Sequence, residues 1–345
     1  MNRFAPISPA MPPTARMERA EEGGNASDIS EPVQDAGAQI QNWLDQLEQV
    51  IHGKRNILQM VIAGMLSGGH ILLEDLPGVG KTTLAKVLAK SIGGTAGGCH
   101  YSRIQFTPDL LPYDVTGVEV WRPDEHCFEF HPGPVFCNLL LADEINRATP
   151  KVQSALLEVM AEQQITVGKE THVLPGPFWV IATQNPIEMA GTYMLPKAQM
   201  DRFSMQLSLG YPDFAGELSV LRDDPVRHRL PHFAPVLSQG EVLSLQELAS
   251  RIYCAPKLEE WALGVARQTR DSPAVRLGVS TRGILMWLAC ARAYALCQGR
   301  GYVTDQDLLE LAPAVLCHRL ELRQQHDDGA KVMAQILAEA QKHLP

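Results

Sequence analysis

The chain has 345 residues, 45% of them hydrophobic, and a formal net charge of −9 from 39 acidic and 30 basic side chains. That is enough apolar material for a sizeable core and length for about two domains, and the acidic balance disfavours a broad nucleic-acid surface while leaving room for a local basic groove. No run reaches the roughly 18 apolar residues of a membrane span, the N-terminus lacks a signal-like apolar core, and seven cysteines without a Cys-x-x-Cys pair argue against a disulfide framework or zinc site; the chain reads as soluble and cytoplasmic, its thiols buried and free.

Residues 1–37 are rich in Pro, Ala, Ser, Gly and Glu and have no periodic apolar face. They read as a disordered tail whose removal should cost little stability, and a tail without a role is the simplest view of it. Helices are expected over 41–50 and 56–66, the second with Ile57, Met60, Val61, Gly64 and Met65 on one face. An apolar strand at 70–73 and a helix at 81–91 flank a glycine-rich turn. A strand at 102–106, a hairpin of 118–121 with 128–131 turning at Asp124-Glu125, and an apolar strand at 138–142 follow. Thr149-Pro150 opens a helix, Thr as cap and Pro in the first turn, with Val152, Ala155, Leu156, Val159 and Met160 at helical spacing. A second hairpin joins 165–167 to 171–173 through Gly168-Lys169, and another buried strand covers 178–182. Strands alternating with helices imply an α/β fold, a parallel sheet covered on both faces, over 38–211. Beyond Tyr211-Pro212 the strand signals fade, and 212–345, with a capping box from Thr304 to Asp307, reads as an all-α second domain.

Between the strand at 70–73 and the helix at 81–91 lies EDLPGVGKTTLAK, residues 74–86. A buried strand, a glycine turn and a helix make a phosphate cradle, because backbone N–H groups from Pro77 to Thr82 (Pro itself has none) and the positive end of the helix converge on one point. Gly78 and Gly80 leave the backbone open to approach, Lys81 would reach the β- and γ-phosphates of ATP, and the Thr82 hydroxyl would bind Mg²⁺. The pattern G-x-x-x-x-G-K-[ST] asks for Gly where the chain has Asp75, a residue that tolerates left-handed backbone better than most. A chance glycine-rich turn is the plain alternative. Two further strand ends weigh against it. Leu139 to Ala142 runs into Asp143-Glu144, where Asp143 can hold Mg²⁺ and Glu144 can orient and deprotonate an attacking water. Phe178 to Thr183 runs into Gln184-Asn185-Pro186, where Asn185 could hold that water or sense the γ-phosphate. Singly, an acidic strand end or an Asn-Pro turn is common; in this order the set is specific.

Five ordered segments then resemble the MoxR family of AAA+ ATPases over residues 38–345: ILLEDLPGVGKT, RIQFTPDLLPYDVTG, FHPGPVFCNLLLADEINRATPKVQSALLEVM, VIATQNPIEMAGTYMLPKAQMDRF, and the run from Gly278 to Leu320 beginning GVSTRGILMW. The family carries Asp or Gly at position 75; Lys197 stands where an acidic residue is usual, and Tyr113 where Ser is commoner. The resemblance implies an AAA+ core with a hairpin inserted in its second helix, another hairpin before the third motif, and a helical lid. It implies a phosphate loop over Pro77, Gly78, Val79, Gly80, Lys81, Thr82 and Thr83, a carboxylate pair at Asp143 and Glu144, and a polar sensor at Asn185. It further implies an adenine loop at Val50-Ile51-His52-Gly53, with Ile51 and Gly53 as contacts, an arginine finger at Arg202 reaching a neighbouring subunit, and a second arginine sensor at Arg282 on the lid. ATP and Mg²⁺ are the implied cofactors, and a homo-oligomeric ring, most simply a hexamer, is the implied assembly. The client would be a protein, characteristically one with a von Willebrand factor A domain; nucleic acid and membrane insertion are not expected. From the residues alone, Arg202 could be a solvated surface arginine, whereas Arg282, in a first helical turn where a cation opposes the dipole, suggests a phosphate partner. Arg147 ranks behind Arg202 as an interface candidate, His131 reads as structural, and Cys290 and Cys297 as core. A nucleic-acid motor and a nucleotide switch without turnover are the other readings.

Overall fold

The computed structural model describes residues 30–93, 98–168, 170–186, 192–324 and 328–342. Five strands form one parallel sheet: β1 (Ile71–Glu74), β2 (Tyr101–Gln105), β3 (Leu139–Asp143), β4 (Trp179–Gln184) and β5 (Met205–Leu207), in the spatial order β5-β1-β4-β3-β2. The three inner strands are near-continuous apolar runs because both of their faces are covered. Leu73, Leu139, Leu141, Trp179 and Ile181 point to one side, with α1 (Ser30–Glu48), α2 (Arg55–Leu66) and α3 (Lys81–Ser91). Leu72, Leu140, Ala142, Val180 and Ala182 point to the other, against Val152, Leu156 and Val159 of α4 (Pro150–Glu162). The period of two along each strand thus divides one sheet between two cores.

The expected elements appear with shifted ends. Both hairpins form: Gly117–Arg122 with Cys127–Pro132, and Gln164–Val167 with Glu170–Val173; Lys169 lies outside the described residues. Thr149 takes the cap position of α4, but its side chain makes no capping bond, so the helix start rests on Pro150. The capping box at Thr304 forms as expected, with the Asp307 N–H donating to Thr304 Oγ1 at 3.3 Å and the Thr304 N–H to Asp307 Oδ2 at 2.8 Å.

The tail boundary moves. Residues 30–37, expected to be disordered, are the first two turns of α1; Val33 and Ala36 are buried. Gly37 meets Gly299 so closely that a Cβ there would stand 2.5 Å from the Gly299 Cα. Two contacts per two turns make too sparse an apolar stripe to be recognised beside Pro- and Gly-rich sequence. The rest of the expected tail, residues 1–29, lies outside the described residues.

After β5 come α5 (Phe214–Asp223), α6 (Gln239–Ser250), α7 (Pro256–Asp271), α8 (Thr281–Cys297), α9 (Asp305–Leu316) and α10 (Gly329–Gln341). The helical part is not a separate core, since its apolar residues join the cluster of α1, α2 and the sheet. Cys290 and Cys297 are fully buried in it, as expected of core residues. Gln41 Nε2 donates to the Cys297 carbonyl at 2.7 Å, and Gln246 Nε2 to the Met65 carbonyl at 2.7 Å. A second tie is ionic. The Arg319 guanidinium, almost fully buried, donates to Asp201 Oδ1 at 2.8 Å and to the Phe203 carbonyl at 2.6 Å, and the Ser280 hydroxyl bonds Asp201 Oδ2 at 3.0 Å. These bonds tie the start of α8 and the segment after α9 to the end of the sheet where β1 and β5 begin, while α5 lies beside the turn that follows β1. All seven cysteines are free, but Cys127 is exposed and Cys99 and Cys317 are only half-buried, so the expectation of buried thiols holds for four.

Candidate active site

At the opposite end, where the strands finish, a cleft of about 360 Å³ is lined by Pro77, Gly78, Gly80, Lys81, Thr82, Thr83, Arg103, Gln105, Asp143, Glu144 and Asn185. The three strand-end motifs therefore meet, which follows from the strand order: β4 lies between β1 and β3, so a phosphate turn after β1, a carboxylate pair after β3 and an amide after β4 come within one cleft. Gly78 and Gly80 have φ of +86° and +98°, and Gly80 is the left-handed residue that precedes α3. A Cβ built on either meets nothing within 4 Å, so the glycines are required by backbone conformation, and the room around them is left for a ligand.

Asp75 corrects the sequence expectation. It is absent from the positive-φ residues among those described, so tolerance of left-handed backbone does not explain it. Its buried carboxylate accepts from Ser208 Oγ at 2.6 Å, from the Leu209 N–H at 2.6 Å and from the Gly210 N–H at 3.0 Å. The side chain ties the start of the phosphate loop to the segment that leaves β5. Lys81 Nζ donates to the carbonyls of Asp75 at 2.8 Å and Leu76 at 3.3 Å, so the ammonium lies over the loop. Burial pulls its pKa down, and the carboxylates of Asp75, Asp143 and Glu144 oppose that shift.

The Asp143 carboxylate is buried and doubly engaged. Oδ1 accepts from Thr183 Oγ1 at 2.7 Å, and Oδ2 accepts from Arg103 Nη2 at 2.7 Å and Nε at 3.2 Å. Glu144 has φ +56°, a conformation that costs a non-glycine residue roughly 1–2 kcal/mol, and Thr183 Oγ1 accepts its N–H at 2.8 Å. Its Oε2 accepts from Gln105 Nε2 at 2.7 Å and Arg147 Nη1 at 2.9 Å. Arg147, expected at a subunit interface, thus contacts its own subunit's Glu144. Asn185 is buried at the end of β4 and lines the same cleft.

Adjoining the phosphate turn, a cavity of about 490 Å³ is lined by Val50, Ile51, His52, Val79, Leu209, Tyr211 and residues of α5 among others. Its apolar walls and the unpartnered, buried His52 Nε2 suit a base with polar edges. Ile51 lines this cavity, and so does Val79, which the resemblance assigned to the phosphate loop; Gly53, at φ +68°, forms the adjoining turn and is not in the lining. The fit to a Mg²⁺-nucleotide is good on the donor set as well. Thr82 and Asp143 line the phosphate cleft, and Mg²⁺ is ordinarily held by one or two carboxylates with substrate phosphates and water.

Arg202 and Arg282 are not in this cleft. Arg202, after the short helix Lys197–Met200, donates to the Leu157 carbonyl on α4. Arg282 is the second residue of α8, as expected, but its side chain is exposed and its charge is felt by His70 and Arg319 at the far end of β1. The two arginines share a side of the molecule, since Ser280 and Asp201, their near neighbours in sequence, are hydrogen-bonded. Sequence reasoning missed Arg103, Gln105 and Thr183. The alternation of Arg103 and Gln105 along β2 was the available signal, but only the β2–β3 register sets Gln105 beside Asp143.

A glycine cradle on the first strand of a parallel 5-1-4-3-2 sheet, facing a carboxylate pair on a neighbouring strand, defines a P-loop nucleotide-binding core. Residues 70–205 match the ATPase family associated with various cellular activities (AAA), and residues 267–340 match its lid domain. The chain is 46% identical to YeaC of Bacillus subtilis, an uncharacterised protein, over 81% of this chain and 86% of that one. It is 41% identical to the chaperone MoxR1 of Mycobacterium tuberculosis, over 82% of this chain and 76% of that one. A crystal structure of a protein from Cytophaga hutchinsonii, described as a candidate ATPase, superposes with a TM-score of 0.81 at 35% identity, covering 91% of this chain and 96% of that one. The chain belongs to the MoxR family of AAA+ ATPases.

Proposed function

We propose that this protein hydrolyses ATP as a homo-oligomeric ring, most simply a hexamer, and uses the cycle to remodel a protein client. The observation that carries this reading is the single cleft in which the phosphate turn faces Asp143, Glu144 and Asn185. In it the loop N–H groups and Lys81 would hold the β- and γ-phosphates, Thr82 and Asp143 would hold Mg²⁺, and Ile51 with His52 would flank the base. Glu144 orients the water that attacks the γ-phosphate in line and takes its proton, while Asn185 fixes that water or the phosphate. The chemistry that bound Mg²⁺ would supply there is neutralisation of the phosphate charge. Arg202 and Arg282 stand too far from their own cleft to share in this, and their common side of the molecule supports a role in a neighbour's site, where finger and sensor complete the charge balance.

A protein client is favoured over nucleic acid by the hairpin Gly117–Pro132. It exposes Trp121 and Phe128 beside Asp124, Glu125 and the ion pair of Arg122 with Glu129, an apolar surface with a net acidic charge that would disfavour phosphates. The family resemblance suggests a client with a von Willebrand factor A domain. No described helix is long and apolar enough to cross a membrane, and seven free cysteines suit a reducing cytoplasm.

Two inactive variants test the reading together. Glu144→Gln is expected to bind ATP and lose at least ~100-fold in turnover, the scale of a general base. Arg202→Ala is expected to bind ATP and lose on the order of 10³-fold or more. Mixed in one ring, some interfaces unite an intact Glu144 with an intact Arg202, and part of the activity should return. Normal turnover by Glu144→Gln would remove the base assignment. Mixed rings without recovery would remove the trans role of Arg202.

A further inference from the structure

The carboxylate expected to hold the metal already has a cation. Asp143 Oδ2 is held at two points by Arg103, while Oδ1 accepts from Thr183. Arg103 Nη2 also donates to Gln105 Oε1 at 2.8 Å, and Gln105 Nε2 donates to Glu144 Oε2 at 2.7 Å, so one hydrogen-bonded chain links both acidic residues. A carboxylate oxygen engaged by a guanidinium fork has its lone pairs taken, and the guanidinium charge repels a second cation. The pair is not needed to join the strands. β2 and β3 are already in register over five residues, Tyr101 with Leu139 through Gln105 with Asp143. Nor is the arginine locked in place: its side chain is 44% exposed and opens on the nucleotide cleft.

We propose that Arg103 is a positioning residue that serves as the resident counter-ion of Asp143, filling the metal's place until the nucleotide brings its cation, and that it must release Asp143 for the metal-loaded complex to form. This rests on the nucleotide reading above. It assigns Arg103 a cost that is read in the affinity the metal adds to nucleotide binding. Release would also free Gln105 Oε1 and loosen the hold on Glu144, so loading the metal and freeing the base are coupled through one side chain.

The test is binding of a fluorescent methylanthraniloyl-ATP to the full-length protein, in EDTA and at saturating Mg²⁺, for wild type and Arg103→Gln. The quantity read is the gain in affinity that Mg²⁺ confers. With the competing charge removed, that gain is expected to grow about tenfold, the scale of one charge-assisted hydrogen bond, while affinity in EDTA does not rise, because the Asp143 charge then stands unpaired beside the phosphates. Arg103→Lys, which keeps the charge but loses the two-point contact, should fall between them and serves if Arg103→Gln does not fold. An unchanged gain would make the pair a structural link and overturn the proposal. Binding weakened by the same factor in both conditions would place Arg103 on the nucleotide itself and overturn it too. A wild-type protein that binds the analogue in neither condition would instead remove the nucleotide reading, a failure distinct from either.

Discussion

Replacing Asp75 by alanine isolates the anchor of the phosphate loop. The carboxylate accepts three hydrogen bonds, two of them from backbone N–H groups that follow β5. A hydrogen bond to a charged group contributes about 1.5–3 kcal/mol, and a buried donor left without an acceptor costs about 1–3 kcal/mol. These figures overlap, and water can enter the vacated space, so the expected loss is roughly 3–5 kcal/mol rather than the sum. Asp75→Asn keeps one carbonyl oxygen but turns an amide NH₂ toward a donor, and should lose about half as much. Asp75→Gly, which restores the glycine of the phosphate-loop pattern, should be no better than alanine and adds roughly 0.5–1 kcal/mol of backbone entropy. Urea unfolding followed by circular dichroism reads these differences. Because the Asp75 carbonyl accepts from Lys81, nucleotide affinity should also fall, by about tenfold or ~1.4 kcal/mol. If Asp75→Ala is within ~1 kcal/mol of wild type, the carboxylate is not the anchor and the loop must be held elsewhere.

His70 is fully buried, accepts the Val180 N–H at Nδ1 and bonds the Met160 carbonyl at Nε2, so it is neutral with its proton on Nε2. Burial lowers its pKa from 6.5 to about 4. The unfolded chain then binds the extra proton first, so stability is full above pH 6.5 and falls by about 3 kcal/mol as pH drops to 4; a His70→Gln protein, though less stable, should show a shallower acid slope in the same titration. A chain beginning at residue 38 should be at least ~2 kcal/mol less stable to urea than one beginning at residue 30, because Val33 and Ala36 leave the core; equal stability would mean that the first turns of α1 do not hold the helical part.

Much of the core was written in local pattern. Period-two burial, apolar strand runs and the glycine turn depend on neighbours along the chain, so four of the five strands of the sheet, α3, α4 and the capping box at Thr304 could be read from the residues themselves; β5, only three residues long, was not among the expected strands. The order of three strand-end motifs also carried the cleft, since crossover rules bring successive parallel strands to one edge. What the sequence could not supply were the pairings made across that order. Arg103 and Gln105 became site residues only through the β2–β3 register, and Asp75 found its partners 133 to 135 residues away, beyond β5. The helical part was foreseen as helical, but its place was not. Where amphipathic helices dock is decided by which apolar surface is left uncovered, and here that surface lies on α1, α2 and the start of the sheet. Docking there carries Arg282 away from its own nucleotide cleft, an outcome set by long-range packing that no local spacing of residues encodes.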